Sequence, residues 1–448
     1  MQQTKRNVKT ASVTPGSNER QVREILGNKL SGTHLGLWLL IPEYLRIGAW
    51  DLIQGVFNKS GTNDLDSRMA MQLVSESAIC VNRVRAKDSL CNQGFSIANG
   101  LSMLVRDESI HNMLKNISVK DAESMQVPLL QLRKIQGHYD DSNIFALDPH
   151  RIVSSTKRHM PAKKKRPQES AGKMMQNFFC VDAITGQPLA FTIGSSGRNS
   201  TKATLDLLEL IESASIKQGL FLADKEHFTK ELLSYFNSHE GFDILMPAPS
   251  NKRMEDTMVK LAYQEKWAGY SIAEGVFQFA GDSQKYRIIA QREGADKSQY
   301  SYSAFLTTST KDSTGLITST FPKRWTIEEF FNFNGDMGWN RASTLNLNIR
   351  YARQSMALIA QAATHGLKGQ LPGEYESWTA DHLASQVLTN MEGDVRVKDD
   401  KIIITYYRDH EALNLKSKYG NISERLVSEG VDPRIPWLYD YKLDFQFK

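Results

Sequence analysis

Three acidic residues stand where they could act together on a phosphodiester bond. Asp148 and Asp224 each follow a short apolar run, and Glu328 closes the run that begins at Arg324. In open α/β sheets, ligands bind beyond the ends of the strands, so carboxylates at two such ends can converge. Carboxylates suit Mg²⁺, and a pair of these ions supports in-line displacement at phosphorus. The spacing therefore predicts metal-dependent phosphoryl transfer on a nucleic acid.

The placement of these residues carries the prediction, because the chain has 50 Asp and Glu residues and most charged side chains are merely solvated. Residues 144–147 and 220–223 are apolar runs of the kind that fill a sheet covered on both faces. Each run ends abruptly in an aspartate that polar or charged residues soon follow. We therefore expect Asp148 and Asp224 to end two buried strands.

From residue 143 onward, strand-like and helical segments alternate. Residues 182–186 join two strand-like runs with turn chemistry, which predicts an antiparallel hairpin. Residues 200–215 have an apolar face, with Ser200 or Thr201 as the expected N-cap. The resulting order, β-β-β-α-β-α-β, is that of a ribonuclease-H-like fold, a mixed α/β sheet with helices on its faces. The predicted strands are 143–148, 177–181, 189–193, 220–224 and 242–246, and the predicted helices are 200–215 and 228–236.

The chain length predicts several domains or subdomains. We expect a disordered polar tail in residues 1–20, then helices over 21–140 that form either a helix-turn-helix-like DNA-binding unit or a plain bundle. Residues 141–250 and 318–368 would form the ribonuclease-H-like catalytic core. Between them, residues 251–317 alternate strand-like runs with turns, which predicts an inserted β-rich subdomain. Residues 369–448 are predicted as an α/β region, for which dimerisation is one role.

Composition excludes several classes of protein. With 448 residues, 40% of them hydrophobic, the chain can form sizeable cores and is globular rather than disordered. A net charge of +5 permits a polyanionic partner without requiring one. The cysteines Cys80, Cys91 and Cys180 have no zinc-ligand spacing and fit a reducing compartment. The longest apolar stretch, 35–44, is far too short to cross a bilayer, so we expect a cytoplasmic protein with no membrane partner.

One segment resembles a known family. Residues 321–331 read Phe-Pro-Lys-Arg-Trp-Thr-Ile-Glu-Glu-Phe-Phe, which resembles the signature of bacterial insertion-sequence DDE transposases with a β-rich insertion before the catalytic glutamate. That signature is tyrosine, two residues, arginine, three residues, glutamate, six residues and lysine. Arg324 and Glu328 match its spacing, whereas Phe321 replaces the tyrosine and Gly335 replaces the lysine. The segments 145–150, 182–188 and 222–227 are also similar to the family, so the resemblance covers residues 143–365.

The resemblance implies cofactors and partners. Asp148, Asp224 and Glu328 would hold two Mg²⁺ ions, for which Mn²⁺ can substitute, and Asp148 would bridge both ions. Water would free a 3′-hydroxyl at the transposon end, and that hydroxyl would then attack target DNA. The partners would be double-stranded DNA, as terminal inverted repeats and as target, and a second copy of the chain in a synaptic homodimer. The implied location is the bacterial cytoplasm, in association with the nucleoid.

The residues beside Glu328 have structural as well as functional interpretations. Arg324 could form an ion pair with Glu328 one helical turn later. Alternatively, Arg324 and the adjacent Lys323 could bind the scissile or a flanking phosphate. Glu329 is the rival third carboxylate, although the spacing from Arg324 favours Glu328.

Other candidate DNA contacts lie farther along the chain. His150 shares a strand face with Asp148 by period two, so it could orient substrate or simply be exposed at a strand end. Trp267 could stack on an unpaired base or belong to a core. A basic loop follows the first strand and could bind phosphates without sequence preference or remain solvated. Its basic side chains include Lys163, Lys164, Lys165 and Arg166.

Three functional classes stay open. The first is a DDE transposase that cleaves transposon ends and transfers strands to target DNA. The second is a metal-dependent DNA nuclease of the same fold without strand transfer, and the joining of ends to target DNA distinguishes the two. The third is a catalytically silent DNA-binding protein derived from a transposase. The complete acidic triad argues against this third class, because a protein that only binds DNA has no physical need of it.

Overall fold

A computed structural model defines the fold. The structure describes residues 15–32, 34–57, 64–81, 90, 93–164, 168–340, 344–408 and 411–448. Most of the expected N-terminal tail lies outside these residues, as do Cys91, Lys165 and Arg166. The chain divides into two compact units. We call 118–335 with 339–355 the core unit, and the described parts of 1–117, 336–338 and 356–448 the terminal unit.

The strands of the described residues are numbered in chain order. They are β1 (Leu30–Gly32), β2 (Ile144–Val153), β3 (Ala162–Lys163), β4 (Gly172–Asp182), β5 (Pro188–Ser195), β6 (Gly219–Ala223), β7 (Phe242–Pro247), β8 (Gln264–Trp267), β9 (Tyr270–Phe277), β10 (Tyr286–Glu293), β11 (Ser301–Thr307), β12 (Gly393–Lys398), β13 (Lys401–Tyr406), β14 (Arg434–Ile435) and β15 (Tyr441–Phe447).

The helices follow the same convention. They are α1 (Pro15–Gly27), α2 (Ile41–Arg46), α3 (Ala49–Phe57), α4 (Asp64–Ala78), α5 (Gln93–Ala98), α6 (Asp107–Lys115), α7 (Val119–Ser124), α8 (Gln126–Ile135), α9 (Ser200–Ser213), α10 (Lys230–Ser238), α11 (Lys252–Met258), α12 (Ser313–Gly315), α13 (Thr326–Asn334), α14 (Leu347–Gln370), α15 (Ala380–Leu383), α16 (Leu415–Tyr419) and α17 (Ile422–Ser428). In the part of the chain that the structure describes, no helix has the length and apolarity needed to cross a membrane.

The centre of the core unit's sheet has the strand order β5-β4-β2-β6-β7. β2, β6 and β7 are parallel to one another, whereas β4 is antiparallel to both β2 and β5. This order and these directions are those of a ribonuclease-H-like sheet, so the predicted mixed α/β fold class is confirmed. The predicted hairpin is present as β4 and β5.

Apolar side chains from the strands and from the helices α9 and α10 form one core. Phe145 and Phe221, on neighbouring strands, have ring centroids 5.3 Å apart, and Leu208 of α9 belongs to the same cluster. Burial of each such side chain contributes about 1.5–3 kcal/mol. Gly219 opens β6, where a Cβ atom would lie 2.4 Å from the ring of Phe145. The missing side chain therefore permits the close approach of β6 to β2.

The strands expected for the insertion are present, but they extend the central sheet. β11 pairs antiparallel with β7, with Leu306 opposite Met246, and β10, β9 and β8 follow outward in order. Ile288 and Ala290 of β10 belong to the same buried cluster as Phe221. The insertion therefore shares the core of the central sheet instead of forming a core of its own. Pairing with β11 also covers an edge of β7 that would otherwise expose its backbone groups.

The terminal unit combines segments from both ends of the described chain. Its sheet has the order β1-β12-β13-β15-β14. β1 pairs antiparallel with β12, with Ser31 opposite Asp394, and β13 runs parallel to β15. β12 and β13 form an antiparallel hairpin, with Val395 opposite Ile404. Residues from the helical N-terminal segment and from the C-terminal segment therefore share one sheet.

α9 begins at Ser200 as predicted, but the expected N-cap is wrong. The side chain of Asn199 accepts a hydrogen bond from the backbone N–H of Lys202 at 2.9 Å. Asn199 is therefore the N-cap, and asparagine is among the residues most favoured there. The Ser200 hydroxyl donates instead to a carboxylate oxygen of Glu226, at 2.9 Å.

Candidate active site

The strand register brings Asp148 and Asp224 to the same edge. β2 and β6 are parallel and are paired as far as Leu147 and Ala223. The next residue on each chain segment is an aspartate, so both carboxylates follow directly on the last shared pair. Asp148 does not end its strand, because β2 stays paired with β4 up to Val153. The predicted strand end is therefore wrong, and what ends before Asp148 is only the pairing with β6.

Glu328 reaches this edge in the first turn of α13. The buried ring of Phe330 on this helix lies 5.3 Å from the ring of Phe179, measured between centroids. Phe179 is directly opposite Asp148 in the β2–β4 ladder, so the two side chains share one face of the sheet. α13 therefore packs on the sheet face that carries Asp148.

The turn between β4 and β5 fixes the start of α13. Oδ1 of Asp182 accepts hydrogen bonds from the backbone N–H groups of Ile184 and Thr185, both at 2.8 Å. The hydroxyl of Thr326, the first residue of α13, donates to the carbonyl oxygen of Ala183 at 3.0 Å. The predicted hairpin thus has a second role, because it holds the helix that carries Glu328.

Arg324 joins two of the three carboxylates. Its Nη1 lies 3.9 Å from Oδ1 of Asp148, and its Nη2 lies 3.3 Å from Oε1 of Glu328. The Arg324 side chain is 9% exposed and lies 5.1 Å from the ring centroid of Trp325. The expected ion pair with Glu328 is therefore present, and it extends to Asp148. Phosphate binding by Arg324 stays a prediction.

The pKa of Asp148 is raised to about 7. Burial is the largest cause, and the charge of Arg324 opposes it. Repulsion from Asp224, Glu226 and Glu328 raises the pKa further. We call Asp148 and the three carboxylates whose charges act on it the acidic neighbourhood. The Asp148 side chain remains 23% exposed, which leaves it accessible to solutes.

The chemistry of the donors suits a hard divalent cation. Asp148, Asp224 and Glu328 offer oxygen ligands, and Mg²⁺ prefers oxygen and retains several waters. A cation would also relieve the repulsion that acts on Asp148. As the side chains stand, no group of three His, Cys, Asp or Glu residues among the described residues is close enough to hold an ion. Binding would therefore require these carboxylates to turn towards one another.

Sequence reasoning missed Glu226 of the acidic neighbourhood and its partner Arg151. Their side chains form an ion pair, and Glu226 is one of the carboxylates that act on Asp148. Burial would raise the pKa of Glu226, but the charge and hydrogen bond of Arg151, the hydrogen bond of Ser200 and the charge of Lys163 outweigh it and lower the pKa. One indication of Glu226 was present in the sequence, namely its position two residues after Asp224.

The predicted DNA contacts near the triad already have partners within the chain. Nε2 of His150 is 2.7 Å from Oδ1 of Asn340, and its ring lies 4.6 Å from that of Phe331. Lys323 is partly exposed, and its charge helps to lower the pKa of Asp140, mainly set by hydrogen bonds from Ser142. Substrate contacts by His150 and Lys323 stay predictions.

The remaining candidates lie on β3 and β8. Lys163 of β3 donates to Oε1 of Gln176 at 3.2 Å, and the adjacent Lys164 side chain is exposed. Trp267 of β8 is 50% exposed and lies parallel to the ring of Tyr270, with centroids 4.2 Å apart. Trp267 is therefore a surface residue rather than a core residue, and base stacking by it stays a prediction.

One family model matches the part of the chain that carries the acidic residues. Residues 140–361 match the family described as "Transposase DDE domain". The chain therefore contains a domain similar to the transposase DDE domain, and all three triad residues fall within it. No curated protein matches the sequence. Among solved structures, the chain is similar to a cryo-EM structure of the piggyBac transposase synaptic complex with hairpin DNA, with a TM-score of 0.42 and 10% identity over 81% of this chain and 82% of that chain.

Proposed function

We propose that the protein is a DNA transposase that cleaves the ends of a mobile element and joins them to target DNA. The observation that carries this proposal is the convergence of Asp148, Asp224 and Glu328 at one edge of a ribonuclease-H-like sheet. These residues come from distant parts of the sequence, and a stability role does not require their mutual repulsion. The transposase DDE match over 140–361 supports the same proposal.

The triad would hold two Mg²⁺ ions, with Mn²⁺ as a substitute. When bound, such ions activate the attacking oxygen and stabilise the leaving oxygen of a phosphodiester. Arg324 and Lys323 would bind a phosphate beside the scissile bond and orient it. Cleavage by water would break one P–O bond and leave a 3′-hydroxyl at the element's end. In strand transfer, that hydroxyl would form a new P–O bond with target DNA as a bond in the target breaks.

The proposed partners are double-stranded DNA and a second copy of the chain in a synaptic homodimer. The terminal inverted repeats and the target DNA would contact basic and aromatic side chains outside the triad. Residues 21–140 would contribute DNA binding and residues 369–448 dimerisation. We also propose a bacterial insertion sequence as the source and the nucleoid-associated cytoplasm as the location. The proposed DNA contacts beyond Arg324 and Lys323 are His150, Lys163, Lys164, Lys165, Arg166 and Trp267.

Cleavage of a labelled duplex that carries the element's presumed ends tests the proposal. The parent protein and the variants Asp148→Ala, Asp224→Ala and Glu328→Ala are compared with Mg²⁺ or Mn²⁺, and DNA binding is measured in parallel. Glu329→Ala is the matched control, because Glu329 is exposed and adjacent to Glu328. We expect metal-dependent cleavage that is lost in the three triad variants and kept in the control.

The products distinguish the candidate functions. Joined products with target DNA support a transposase, whereas cleavage without joining identifies a nuclease. Binding without cleavage by the parent would identify a silent DNA-binding protein. Cleavage that survives Glu328→Ala but not Glu329→Ala would move the third carboxylate by one residue.

A further inference from the structure

Glu226 connects three segments beside the triad. One of its carboxylate oxygens, Oε1, accepts the hydroxyl of Ser200 at 2.9 Å, just at the start of α9. The other, Oε2, accepts a hydrogen bond from the guanidinium of Arg151, which lies on β2 three residues after Asp148. The ammonium of Lys163 on β3 lies 4.0 Å from Oε1. A single side chain thus holds contacts to a helix start, to the strand of Asp148 and to the basic loop.

The same contacts fix the segment that carries the basic side chains. Nη1 of Arg151 donates to the carbonyl oxygen of Lys164 at 3.0 Å. Lys163 donates to Gln176 on β4 at 3.2 Å. The hydroxyl of Ser196 donates to the carbonyl oxygen of Pro161. Hydrogen bonds therefore hold residues 161–164 at both ends. Because Arg151 binds both Glu226 and the carbonyl oxygen of Lys164, it connects Glu226 to the backbone of this segment.

These contacts indicate that the role of Glu226 differs from that of the triad. Both of its oxygens already accept hydrogen bonds, whereas a metal ligand needs an oxygen directed at the ion. The charges also differ, because one carboxylate here meets two cations, Arg151 and Lys163. The excess positive charge suits a phosphate, and it lies beside the acidic neighbourhood of Asp148.

We propose that Glu226 is a positioning residue that holds residues 161–164 beside Asp148 and Asp224, so that Lys163 and Lys164 contact a DNA phosphate close to the cleaved bond. This assignment rests on the proposed function for its DNA partner, but the anchoring of the loop does not. The chain offers a matched network for comparison. Glu274 of the insertion also accepts a serine hydroxyl, that of Ser313 at 2.6 Å, and an arginine, Arg287 at 3.0 Å.

Amide hydrogen exchange of the full-length chain tests the anchoring without DNA. Glu226→Ala should speed exchange in residues 154–164 by up to about fivefold, because partly exposed ion pairs are worth at most that factor. Glu226→Gln should have a smaller effect, since it keeps one acceptor oxygen. Glu274→Ala, the matched control, should leave 154–164 unchanged. Arg151→Gln removes the same ion pair and should also speed exchange in 154–164. It therefore replaces Glu226→Ala if that variant fails to fold.

DNA binding and cleavage then test the role of the loop. The probe is a short labelled duplex with the element's presumed end, bound without metal over a range of salt concentrations. Glu226→Ala and Lys163→Gln should each reduce the slope of log affinity against log salt by about 1, the effect of one lost phosphate contact. Cleavage at saturating DNA should change less than the KM for DNA, whereas removal of a catalytic group would lower kcat.

Each outcome decides one of the two proposals. Unchanged exchange in 154–164 for both Glu226→Ala and Arg151→Gln would overturn the anchoring. Faster exchange with an unaltered salt slope would overturn the phosphate contact. Faster exchange in the variants, together with a parent protein that neither binds nor cleaves DNA, would support the anchoring and overturn the proposed transposase.

Discussion

Asp148 of the core unit and Glu43 of the terminal unit are both carboxylates whose pKa is raised to about 7, chiefly by burial. Each lies beside an arginine, but their surroundings differ. The Glu43 side chain is 5% exposed and contacts Arg46 at 2.5 Å, whereas the Asp148 side chain is 23% exposed and its arginine lies 3.9 Å away. The first site is therefore closed, and the second is open to a solute.

The charges around the two carboxylates differ as well. Arg46 also binds Glu429 at 2.7 Å, and Arg425 binds Glu429 at 3.0 Å, so two acids meet two bases around Glu43. At Asp148, the repulsion of three other carboxylates adds to burial, and the charge of Arg324 opposes it. A raised pKa alone does not identify a functional site. The open position and the unbalanced charge of Asp148 support its proposed role, and Glu43 has neither.

The largest expected effect is a difference in DNA cleavage between variants of the two sites. Asp148→Asn should lower DNA cleavage by about 10³-fold, because a lost metal ligand removes several kcal/mol of transition-state stabilisation. Its melting temperature should stay level or rise, since the repulsion from Asp224, Glu226 and Glu328 disappears. Glu43→Gln should keep cleavage within about twofold, as expected for a site that only stabilises the fold. Cleavage rates and melting curves of both variants check this, and a Glu43→Gln protein that folds but cannot cleave would contradict it.

The second effect concerns how stability depends on pH. The folded pKa of Glu43 is raised from 4.5 to about 7, so its contribution to stability is complete below pH 4.5 and is lost as the pH rises through 7. At most about 3 kcal/mol is involved, because a tenfold change in proton affinity corresponds to about 1.4 kcal/mol. The parent should therefore lose stability relative to Glu43→Gln between pH 5 and pH 8. Any cost of leaving Arg46 with a neutral partner does not depend on pH and cancels in this comparison. Parallel denaturant titrations of the two proteins would measure the difference, and a constant gap across that range would show that Glu43 does not titrate there.

The central strands and the position of Asp148 and Asp224 at one edge of the sheet were predictable because the signal is local. Short apolar runs that end in Asp148 and Asp224 indicate buried strands, and their parallel pairing brings the next residues together. The extension of β2 past Asp148 was hidden by Pro149, which usually argues against a central strand. Pro149 is tolerated because β2 has lost β6 as a neighbour at that point.

Contacts between distant segments were not predictable from local patterns. The pair Arg151–Glu226 joins residues 75 positions apart, and each residue alone resembles an ordinary charged surface residue. The pairing of β1 with β12 joins positions more than 360 apart, so no local pattern indicates it. Partners of this kind depend on the assembled fold, which is why the sequence did not indicate the pair Arg151–Glu226.

Two glycines sharpen the contrast between a closed and an open site. A Cβ atom at Gly366 would lie 2.5 Å from Oε2 of Glu43, and one at Gly335 would lie 2.4 Å from Nδ2 of Asn340. Glu43 is held by its network and cannot move aside, so Gly366→Ala should cost about 1–3 kcal/mol, as overpacking does. Asn340 can move aside if it breaks its hydrogen bond with His150. Gly335→Ala should therefore change the free energy of unfolding by no more than about 0.5–1.5 kcal/mol, the contribution of one hydrogen bond.

Unfolding free energies of the two alanine variants measure this contrast. The ring resonances of His150 should also shift in Gly335→Ala, because the contact with Asn340 would be lost. Gly335 replaces the lysine of the transposase signature, so Gly335→Lys tests whether a longer side chain is accepted in the same way. Equal losses of stability at Gly335 and Gly366 would mean that the surroundings of Asp148 are as rigid as those of Glu43.

The smallest expected effect comes from replacing each of the two arginines, Arg324 and Arg46, by lysine. Arg324 reaches both Asp148 and Glu328, whereas a lysine has a single ammonium group and cannot span both contacts. Arg324→Lys should therefore lower cleavage about tenfold, which corresponds to one hydrogen bond to a charged group of about 1.5 kcal/mol. Arg46→Lys removes a similar bidentate contact at Glu43 and Glu429, so it should cost a similar energy in stability and leave cleavage unchanged. If Arg324→Lys lowered stability without affecting cleavage, Arg324 would have a structural role like that of Arg46, and its contacts with Asp148 and Glu328 would not serve cleavage.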